Sequence, residues 1–285
     1  MMSFQMTING RKVKANDGDT VLAVAERAGI HIPTLCDHKA VEPFGACRLC
    51  MVEVTKPSWD GWKGMMTACL YPAAPDLIVE TNSKRVLHAR RDILDLLLAR
   101  CPESDLIQDL AAQHGVMQTS FVARDNPDLC ILCGLCVRVC ETAMTSAIAT
   151  VSRGHERKIG TPWGGPPVDC IGCTSCAQVC PTGHITFEED NGVRKIWQRD
   201  FEMVRCKSCD TPMMTVDERK HLIAKGNLDQ SYFEECGSCK RQKAAEVFAD
   251  VTLKTHPGFV PKQLGSVASV PLALMSGMTQ RRSAK

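Results

Sequence analysis

The sequence predicts an α+β protein built from several small modules, in which metal ligation supplements a modest hydrophobic core. Two observations indicate that metal ligation supports the modules. The chain carries 17 cysteines in 285 residues, and all but one of them fall into groups of four with regular spacing. Aromatic residues make up only 5% of the chain, and because these side chains bury the most area each, their scarcity limits the organic core. Metal ligands would then contribute folding free energy that the core does not.

The N-terminal segment predicts a β-hairpin followed by a helix. Residues 3–15 contain two short strand-like stretches joined by Asn9-Gly10, a pair typical of a two-residue hairpin turn. Thr20 is a suitable N-cap for the helix VLAVAERAG, and Gly29 is a suitable end for it. A hairpin followed by a helix is how a β-grasp domain begins.

The next four cysteines have a spacing suited to a 2Fe–2S cluster. The pattern is C-x10-C-x2-C followed by an eighteen-residue gap, and its members are Cys36, Cys47, Cys50 and Cys69. A zinc site is the alternative, but the ten-residue first gap is unusual for zinc. The preceding hairpin and helix favour a plant-like ferredoxin. Because the last gap is long, we expect the insertion SWDGWKG to bulge from the fold.

Residues 82–100 predict an amphipathic helix that leads to a duplicated cysteine motif. Apolar side chains recur at helical spacing, and Asn82 or Ser83 can cap the first turn. The other face is rich in arginine, which is typical of a solvated surface, so we assign it no binding role.

A duplicated run organises the middle of the chain. The pattern C-x2-C-x2-C-x3-C occurs twice, and each cysteine of the second run lies 40 residues after its counterpart in the first. In two-cluster ferredoxins the fourth cysteine of each run ligates the other cluster. We therefore predict two 4Fe–4S clusters, one held by Cys130, Cys133, Cys136 and Cys180, the other by Cys170, Cys173, Cys176 and Cys140. A disulfide framework or a zinc site are the alternatives, but disulfides belong to small secreted domains, and zinc does not need this run.

Two further C-x2-C pairs predict a tetrahedral metal site near the C-terminus. The pairs, separated by twenty-six residues, are Cys206 with Cys209 and Cys236 with Cys239. Each pair offers two thiolates to one ion, so structural zinc fits best, with a rubredoxin-type iron or a further cluster as alternatives. The following helix, CKRQKAAEVFADVTLK, carries both signs of charge, which argues against a nucleic-acid role.

Composition and missing motifs exclude several functions. The formal net charge is only +2, which gives no nucleic-acid footprint. The N-terminus lacks the apolar core of a secretory signal, and no run approaches the length of a membrane span. We therefore expect a reducing, cytoplasmic location. The glycine-rich stretch GTPWGG is neither a dinucleotide fingerprint nor a P-loop, so the chain is expected to move electrons without a substrate site of its own.

The first two thirds of the chain resemble a known family of iron–sulfur subunits. The residues that carry the resemblance are Pro33, Cys36, Gly45, Cys47, Arg48, Cys50, Val52, Glu53, Val54 and Cys69, with Ile148, Arg153, Gly154 and Ile159 further on. They resemble the N-terminal part of the large iron–sulfur subunit of bacterial NADH dehydrogenase and the diaphorase iron–sulfur subunit of NAD-linked hydrogenases. The C-terminal pairs more weakly resemble the ribbon that ends some ferredoxin-type hydrogenase subunits.

The chain departs from that family at Cys101. A histidine occurs near this position in the family, followed by three further cysteines that complete an extra 4Fe–4S cluster. Here no cysteine follows until Cys130, so the resemblance implies that this extra cluster is absent. Cys101 is predicted to be a thiol at a helix end, outside the cluster sites.

The resemblance implies an electron-transfer subunit of a multi-subunit, NAD(H)-linked oxidoreductase. Its expected partners are a flavoprotein subunit that oxidises or reduces NAD(H) and a catalytic subunit such as a hydrogenase or formate dehydrogenase. A free-standing polyferredoxin carrier and a zinc-dependent scaffold are the alternatives. The expected modules are a β-grasp 2Fe–2S domain (1–81), a helical connector (82–125), a two-4Fe–4S domain (126–192), a zinc-ribbon-like module (193–254) and an extended tail (255–285).

Overall fold

The computed structural model describes residues 3–123 and 128–255. The chain divides into two compact units, one of residues 1–204 with 212–230, the other of 205–211 with 231–285. All but the first residue of the predicted C-terminal tail, including its apolar stretch VPLALM, lies outside the described residues. In the part of the chain that is described, no helix is both long and apolar enough to cross a membrane.

The larger unit begins with a five-stranded mixed sheet. Its elements are β1 (Ser3–Ile8), β2 (Arg11–Asn16), α1 (Val21–Arg27), β3 (Met51–Thr55), β4 (Gly64–Thr67) and β5 (Ile78–Glu80). The strand order is β2-β1-β5-β3-β4, with β1 parallel to β5 and the other neighbours antiparallel. The predicted hairpin is confirmed, since Asn9 and Gly10 both have positive φ at its turn.

The first helix starts as its sequence predicts. The Thr20 side chain accepts a hydrogen bond from the N–H of Ala23 at 3.2 Å, which caps α1. The core of this sheet also contains Cys50 and Cys69, both almost fully buried. Two of the predicted ligands are therefore fixed by the hydrophobic core itself. The insertion SWDGWKG occupies the connection from β3 to β4, where Trp59 and Trp62 meet edge to face at 5.2 Å.

The connector consists of two helices, α2 (Lys84–Arg100) and α3 (Asp105–Gln113). Ser83 caps α2 by accepting a hydrogen bond from the Val86 N–H at 3.3 Å, as predicted. The arginine-rich helix is not only a solvated surface. Arg90 is 2% exposed and donates hydrogen bonds to the carbonyls of Leu49 and Met51 at 3.2 and 3.1 Å.

The duplicated motif forms two loop–helix units joined by a small hairpin. The elements are α4 (Leu135–Ala143), β6 (Ala149–Val151), β7 (Lys158–Gly160) and α5 (Ser175–Gln178), with β6 antiparallel to β7. Each loop turns into its helix at a residue with left-handed backbone, Gly134 (φ 74°) and Thr174 (φ 62°). This turn brings the third cysteine of each run onto the first turn of a helix.

A second sheet follows the duplicated motif and belongs to the same unit. It comprises β8 (Glu188–Asp190), β9 (Val193–Ile196), β10 (Arg199–Arg205) and β11 (Pro212–Thr215), in the order β11-β10-β9-β8, and α6 (Val216–Gly226) follows it. Ile196 and Phe201 are buried in a cluster that includes Cys136 and Cys176. The residues predicted to form one ribbon over 193–254 are thus divided, because these strands pack on the duplicated motif.

The smaller unit carries the last four cysteines. The segment 205–211 bears Cys206 and Cys209 in the loop that follows β10, and α7 (Gly237–Thr255) begins directly after Cys236. Among the described residues of this unit, the large apolar side chain that is buried is that of Phe233, which is 6% exposed.

Candidate iron–sulfur and metal centres

The first group of cysteines is arranged as two close pairs. The sulfurs of Cys50 and Cys69 are 3.4 Å apart. The N–H of Cys47 lies 3.5 Å from the sulfur of Cys36 and donates to it, and the two side chains also share a hydrogen bond. A 2Fe–2S cluster has two irons, each of which takes two cysteine thiolates. The two pairs therefore fit such a cluster.

Hydrogen bonds within each pair shift the thiol pKa values in opposite directions. The bond with Cys47 lowers the pKa of Cys36 to about 6, helped by the N–H groups of Cys47 and Ala46. The bond with Cys69 lowers the pKa of Cys50 to about 7. The pKa of Cys47 and that of Cys69 are raised by the same bonds. One thiolate in each pair thus forms readily near neutral pH, which favours metal binding.

The loop that bears Cys47 depends on a glycine. Gly45 has φ 68°, and a Cβ atom there would lie 2.6 Å from Cδ1 of Leu70, next to Cys69. A larger residue would therefore be strained in its backbone, and the exposed Leu70 side chain would have to move.

The duplicated runs line two small cavities, and each run contributes to both. One cavity is lined by Cys130, Cys133, Cys136 and Cys180, the other by Cys170, Cys173, Cys176 and Cys140. Much of the remaining lining is apolar and includes three isoleucines in each cavity. Four thiols around one enclosed space are the donor set of a 4Fe–4S cluster. The structure thus brings together the same two quartets that the spacing predicts.

Burial raises the pKa of the innermost thiols in these cavities. The pKa is raised to about 11 at Cys133 and Cys176 and to about 12 at Cys136, with desolvation as the main cause at each. Hydrogen-bond donors also reach the sulfurs: the Ala147 N–H to Cys140 at 3.3 Å, the Gly172 N–H to Cys170 at 3.4 Å and the Trp197 indole N–H to Cys176 at 3.5 Å. Such N–H···S contacts tune the potential of a bound cluster.

The 2Fe–2S candidate site and the nearer 4Fe–4S candidate site share a buried apolar contact. Cys36, Cys133 and Leu135 form one buried cluster. Arg138, on α4, donates to the carbonyls of Cys36 at 2.6 Å and Glu42 at 2.5 Å. The guanidinium of Arg138 also lies over the Phe44 ring, 5.5 Å from its centroid, so one side chain fastens the first cysteine loop to the duplicated motif.

The last four cysteines meet around one point in the smaller unit. All four sulfurs, those of Cys206, Cys209, Cys236 and Cys239, lie within 4.8 Å of one another. The Cys206–Cys239 separation is 3.8 Å and the Cys209–Cys236 separation is 3.7 Å. A tetrahedral ion with Zn–S bonds of about 2.3 Å places its sulfurs about 3.8 Å apart. The arrangement therefore fits a single tetrahedral ion.

Backbone amides favour thiolates at this site. The N–H of Cys236 donates to the Cys206 sulfur at 3.2 Å, and this bond is the main cause that lowers the pKa of Cys206 to about 6. The N–H of Cys239 likewise lowers the pKa of Cys236. Hydrogen bonds with neighbouring sulfurs, first that of Cys209, raise the pKa of Cys239 to about 12.

The remaining cysteine follows the first helix of the connector. Cys101 is fully buried just after α2, and its N–H donates to the Leu97 carbonyl at 2.8 Å. It lines neither cavity of the duplicated motif. The preceding residue, Arg100, donates to the Cys130 carbonyl at 2.7 Å, so the end of α2 supports the first cysteine of the duplicated motif.

Two family models match the chain. The model of the 2Fe-2S iron-sulfur cluster binding domain matches residues 2–84. The model of the 4Fe-4S dicluster domain matches residues 129–184. The chain therefore carries a 2Fe-2S domain and a 4Fe-4S dicluster domain of mixed α and β structure.

Curated relatives are subunits of NAD(P)-linked oxidoreductases. An NADH-quinone oxidoreductase subunit of Rhizobium meliloti is 31% identical over 243 residues, which cover 76% of this chain and 28% of that protein. The alpha subunit of the NADPH-Fe(3+) oxidoreductase of Geobacter sulfurreducens is 33% identical over 259 residues, which cover 82% of this chain and 30% of that protein. The chain resembles these iron–sulfur subunits. The predicted resemblance is thereby confirmed, although the chain spans less than a third of the length of these two relatives.

A solved structure extends the resemblance to the hydrogenases. A chain of an NAD+-reducing [NiFe]-hydrogenase in its H2-reduced state aligns with a TM-score of 0.55 and 29% sequence identity. The alignment covers 64% of this chain and 86% of that chain. The HndD subunit of the NADP-reducing hydrogenase of Solidesulfovibrio fructosivorans is 30% identical over 66% of this chain and 37% of its own length.

Sequence reasoning located the cysteines but missed the side chains that hold their loops. Four arginines donate hydrogen bonds to backbone carbonyls in these loops or next to them. They are Arg90, Arg138, Arg194 and Arg199. Only Arg138 lies within a cysteine motif, where its position between Cys136 and Cys140 could have drawn attention. The partners of the others lie 22 to 41 residues away, and no local pattern marks them.

Proposed function

We propose that this chain is the electron-transfer iron–sulfur subunit of a multi-subunit, NAD(H)-linked oxidoreductase. One observation carries the proposal: two cavities, each lined by three cysteines of one run and the last cysteine of the other, lie in the same compact unit as the 2Fe–2S candidate site. Bound iron–sulfur clusters take up and release single electrons, and the protein sets their spacing and potential.

The proposed ligands follow the observed groups. Cys36, Cys47, Cys50 and Cys69 would hold the 2Fe–2S cluster. Cys130, Cys133, Cys136 and Cys180 would hold one 4Fe–4S cluster, and Cys170, Cys173, Cys176 and Cys140 the other. The buried contact between Cys36 and Cys133 supports placing the 2Fe–2S site next to the first of these. The proposed order of sites is therefore linear, with the cavity that contains Cys170 at the far end.

We assign structural zinc to Cys206, Cys209, Cys236 and Cys239. The separations of 3.8 and 3.7 Å support one tetrahedral ion, and four thiolates leave no open coordination position. Ion pairs also join the two halves of the site, with Lys207 Nζ 2.6 Å from the Glu234 carboxylate. The proposed role of the zinc ion is to hold the segment 205–211 against the start of α7.

The proposed partners are a flavoprotein subunit that reacts with NAD(H) and a catalytic subunit such as a hydrogenase or formate dehydrogenase. The relatives described earlier belong to NAD(P)-linked oxidoreductases, which supports partners of this kind. A reducing compartment, the cytoplasm, suits a chain whose cysteines serve as metal ligands. The proposed module limits are those predicted from the sequence up to residue 192.

Metal analysis of the full chain tests the proposal. Anaerobically purified protein should contain about ten irons, from one two-iron and two four-iron clusters, and one zinc. Reduction with dithionite should give electron paramagnetic resonance signals of both cluster types, and NADH alone should leave the isolated chain oxidised. Co-expression with its proposed flavoprotein partner should restore reduction by NADH. A colourless protein, or reduction by NADH without a flavoprotein, would contradict the proposal.

A further inference from the structure

Side chains of the second sheet donate hydrogen bonds to the loop that carries Cys170 and Cys173. Three consecutive carbonyls of this loop accept hydrogen bonds from sheet side chains: Cys170 from Arg199 at 2.8 Å, Ile171 from Thr215 at 2.5 Å and Gly172 from Arg194 at 2.7 Å. The donors come from β10, β11 and β9, respectively. The sheet lies beyond the residues matched by the dicluster model, so these hydrogen bonds come from outside the duplicated motif.

The loop also packs closely against apolar atoms of the sheet. Gly172 has φ 67°, and a Cβ atom there would lie 2.7 Å from the Phe201 ring and 3.0 Å from Cγ2 of Thr215. Phe201 is 3% exposed. The backbone of the ligand loop is therefore packed directly on the inner face of the sheet, and the sheet fixes its position.

The turn between β9 and β10 brings Trp197 to the same site. Ile196 pairs with Arg199, which leaves Trp197 and Gln198 as a two-residue turn with φ values of 54° and 61°. Turns of this type prefer asparagine and glycine, because bulky side chains are disfavoured in left-handed backbone. A tryptophan held in such a conformation suggests a role that outweighs the strain.

The indole of Trp197 faces the candidate cluster site. Its Nε1–H donates to the Cys176 sulfur at 3.5 Å, and its ring helps to line the cavity formed by Cys170, Cys173, Cys176 and Cys140. The ring thereby adds both a hydrogen-bond donor and an apolar wall to that cavity.

We propose that Trp197 is a positioning residue that raises the reduction potential of the 4Fe–4S cluster at this far site. The proposal rests on the proposed function above. An N–H···S hydrogen bond stabilises the reduced cluster more than the oxidised one, because the reduced cluster carries more negative charge on its sulfurs. The matching position in the other cavity has no tryptophan, since the residues lining that cavity in the described chain are Ile131, Gly134, Ile159, Thr182, His184 and Ile185 with its cysteines.

The W197F variant tests the role of the indole N–H, because phenylalanine keeps an aromatic ring but cannot donate. The full chain is purified anaerobically, and each cluster is titrated by electron paramagnetic resonance at controlled potentials. We expect one of the two 4Fe–4S signals to move to lower potential, with about a fivefold lower ratio of reduced to oxidised cluster at fixed potential, or about 40 mV at 59 mV per tenfold. The matched control is W163F, because Trp163 is 95% exposed in the loop before Cys170, and its potentials should equal those of the wild type.

An unchanged potential in W197F with full iron content would overturn the proposal. Should W197F lose iron at this site, the W197M variant decides, since its side chain is also apolar and cannot donate an N–H. A lowered potential in W197M then supports the proposal, and a wild-type potential overturns it. Failure of the cluster assignments in the proposed function gives a different result, because the wild-type chain itself would then lack two 4Fe–4S signals, and failure of the proposed subunit role would appear as reduction by NADH without a flavoprotein.

Discussion

Arg138 donates a hydrogen bond to the carbonyl of Cys36 at 2.6 Å across 102 residues of sequence. The arginine lies on the helix between two cysteines of the duplicated motif, and its partner is the first cysteine of the N-terminal group. One guanidinium thus joins the 2Fe–2S candidate site to the adjoining 4Fe–4S candidate site, and it adds positive charge beside the Cys36 sulfur.

Replacing this arginine should therefore change both stability and potential. We expect R138Q to lower the free energy of unfolding by about 1.5–3 kcal/mol, the usual value of a hydrogen bond to a charged group. It should also lower the potential of the 2Fe–2S cluster, because a nearby positive charge favours the reduced form. Redox titration of the 2Fe–2S signal checks the second effect. R138K keeps the charge and should recover most of the potential, whereas R153Q, at an exposed arginine in the connection from β6 to β7, should behave as the wild type. Equal potentials in R138Q and wild type would contradict this expectation.

The buried side chain of Arg90 should control retention of the 2Fe–2S cluster. It holds the carbonyls of Leu49 and Met51 on either side of Cys50. Removing it in R90M leaves the buried Leu49 carbonyl and the partly buried Met51 carbonyl without this donor, and an unsatisfied buried acceptor costs about 1–3 kcal/mol. We expect R90M to lose its 2Fe–2S signal in the presence of a chelator at least tenfold faster than the wild type, while the 4Fe–4S signals persist. R91Q is the control, because Arg91 is exposed on the same helix and donates to the His114 carbonyl at the end of α3. Equal release rates in R90M and R91Q would show that Arg90 has no such role.

The four cysteines of the smaller unit should bind one metal ion independently of the iron. In C239S we expect the zinc content to fall by about one ion per chain, and the visible absorbance of the iron–sulfur clusters to stay unchanged. Elemental analysis of the purified protein measures both metals. S238A, at the neighbouring serine, should retain the ion. If C239S instead lost iron with no change in zinc content, the site would hold a rubredoxin-type iron, and the assignment of zinc would be wrong.

Glu218 should make the larger unit less stable as the pH rises. Its carboxylate is 3.7 Å from Arg194, yet desolvation by burial raises its pKa above the ordinary value of 4.5. The folded state therefore binds a proton more tightly than the unfolded state, and this contribution is lost as the pH rises through the raised pKa. Thermal unfolding is followed by circular dichroism at pH 5 and pH 8. The melting temperature should decrease less between these pH values for E218Q than for the wild type. D217N is the control, since Asp217 is exposed and pairs only loosely, at 3.4 Å, with Lys220. The same pH dependence in E218Q and wild type would contradict this prediction.

The chemistry of the sites was predictable from the sequence because cysteine spacing encodes it directly. The duplicated run specified which cysteines would share a cavity, and Asn9-Gly10 and Ser83 specified local turns and caps by their own side chains and backbone preferences. These features depend on residues close together in the chain, so a local pattern is sufficient to recognise them.

The supporting contacts were not predictable, for a physical reason. The hydrogen bonds of Arg194, Arg199 and Thr215 reach carbonyls 22 to 44 residues away, and any buried arginine or threonine could satisfy such acceptors. Trp197 and Gln198 even contradict the local preference for a tight turn. Tertiary packing overrides propensity there, and a sequence pattern contains no record of it.

Neither cavity of the duplicated motif can close from its own run. Cys130 and the next two cysteines of its run need Cys180, which leaves the ribosome fifty residues later. At about 5–20 residues per second, that delay lasts a few seconds. During this interval the nascent chain exposes the four unligated thiols of the first run, open to oxidation or to the wrong metal. We therefore expect iron and sulfide to be delivered late, after both halves of the motif have emerged.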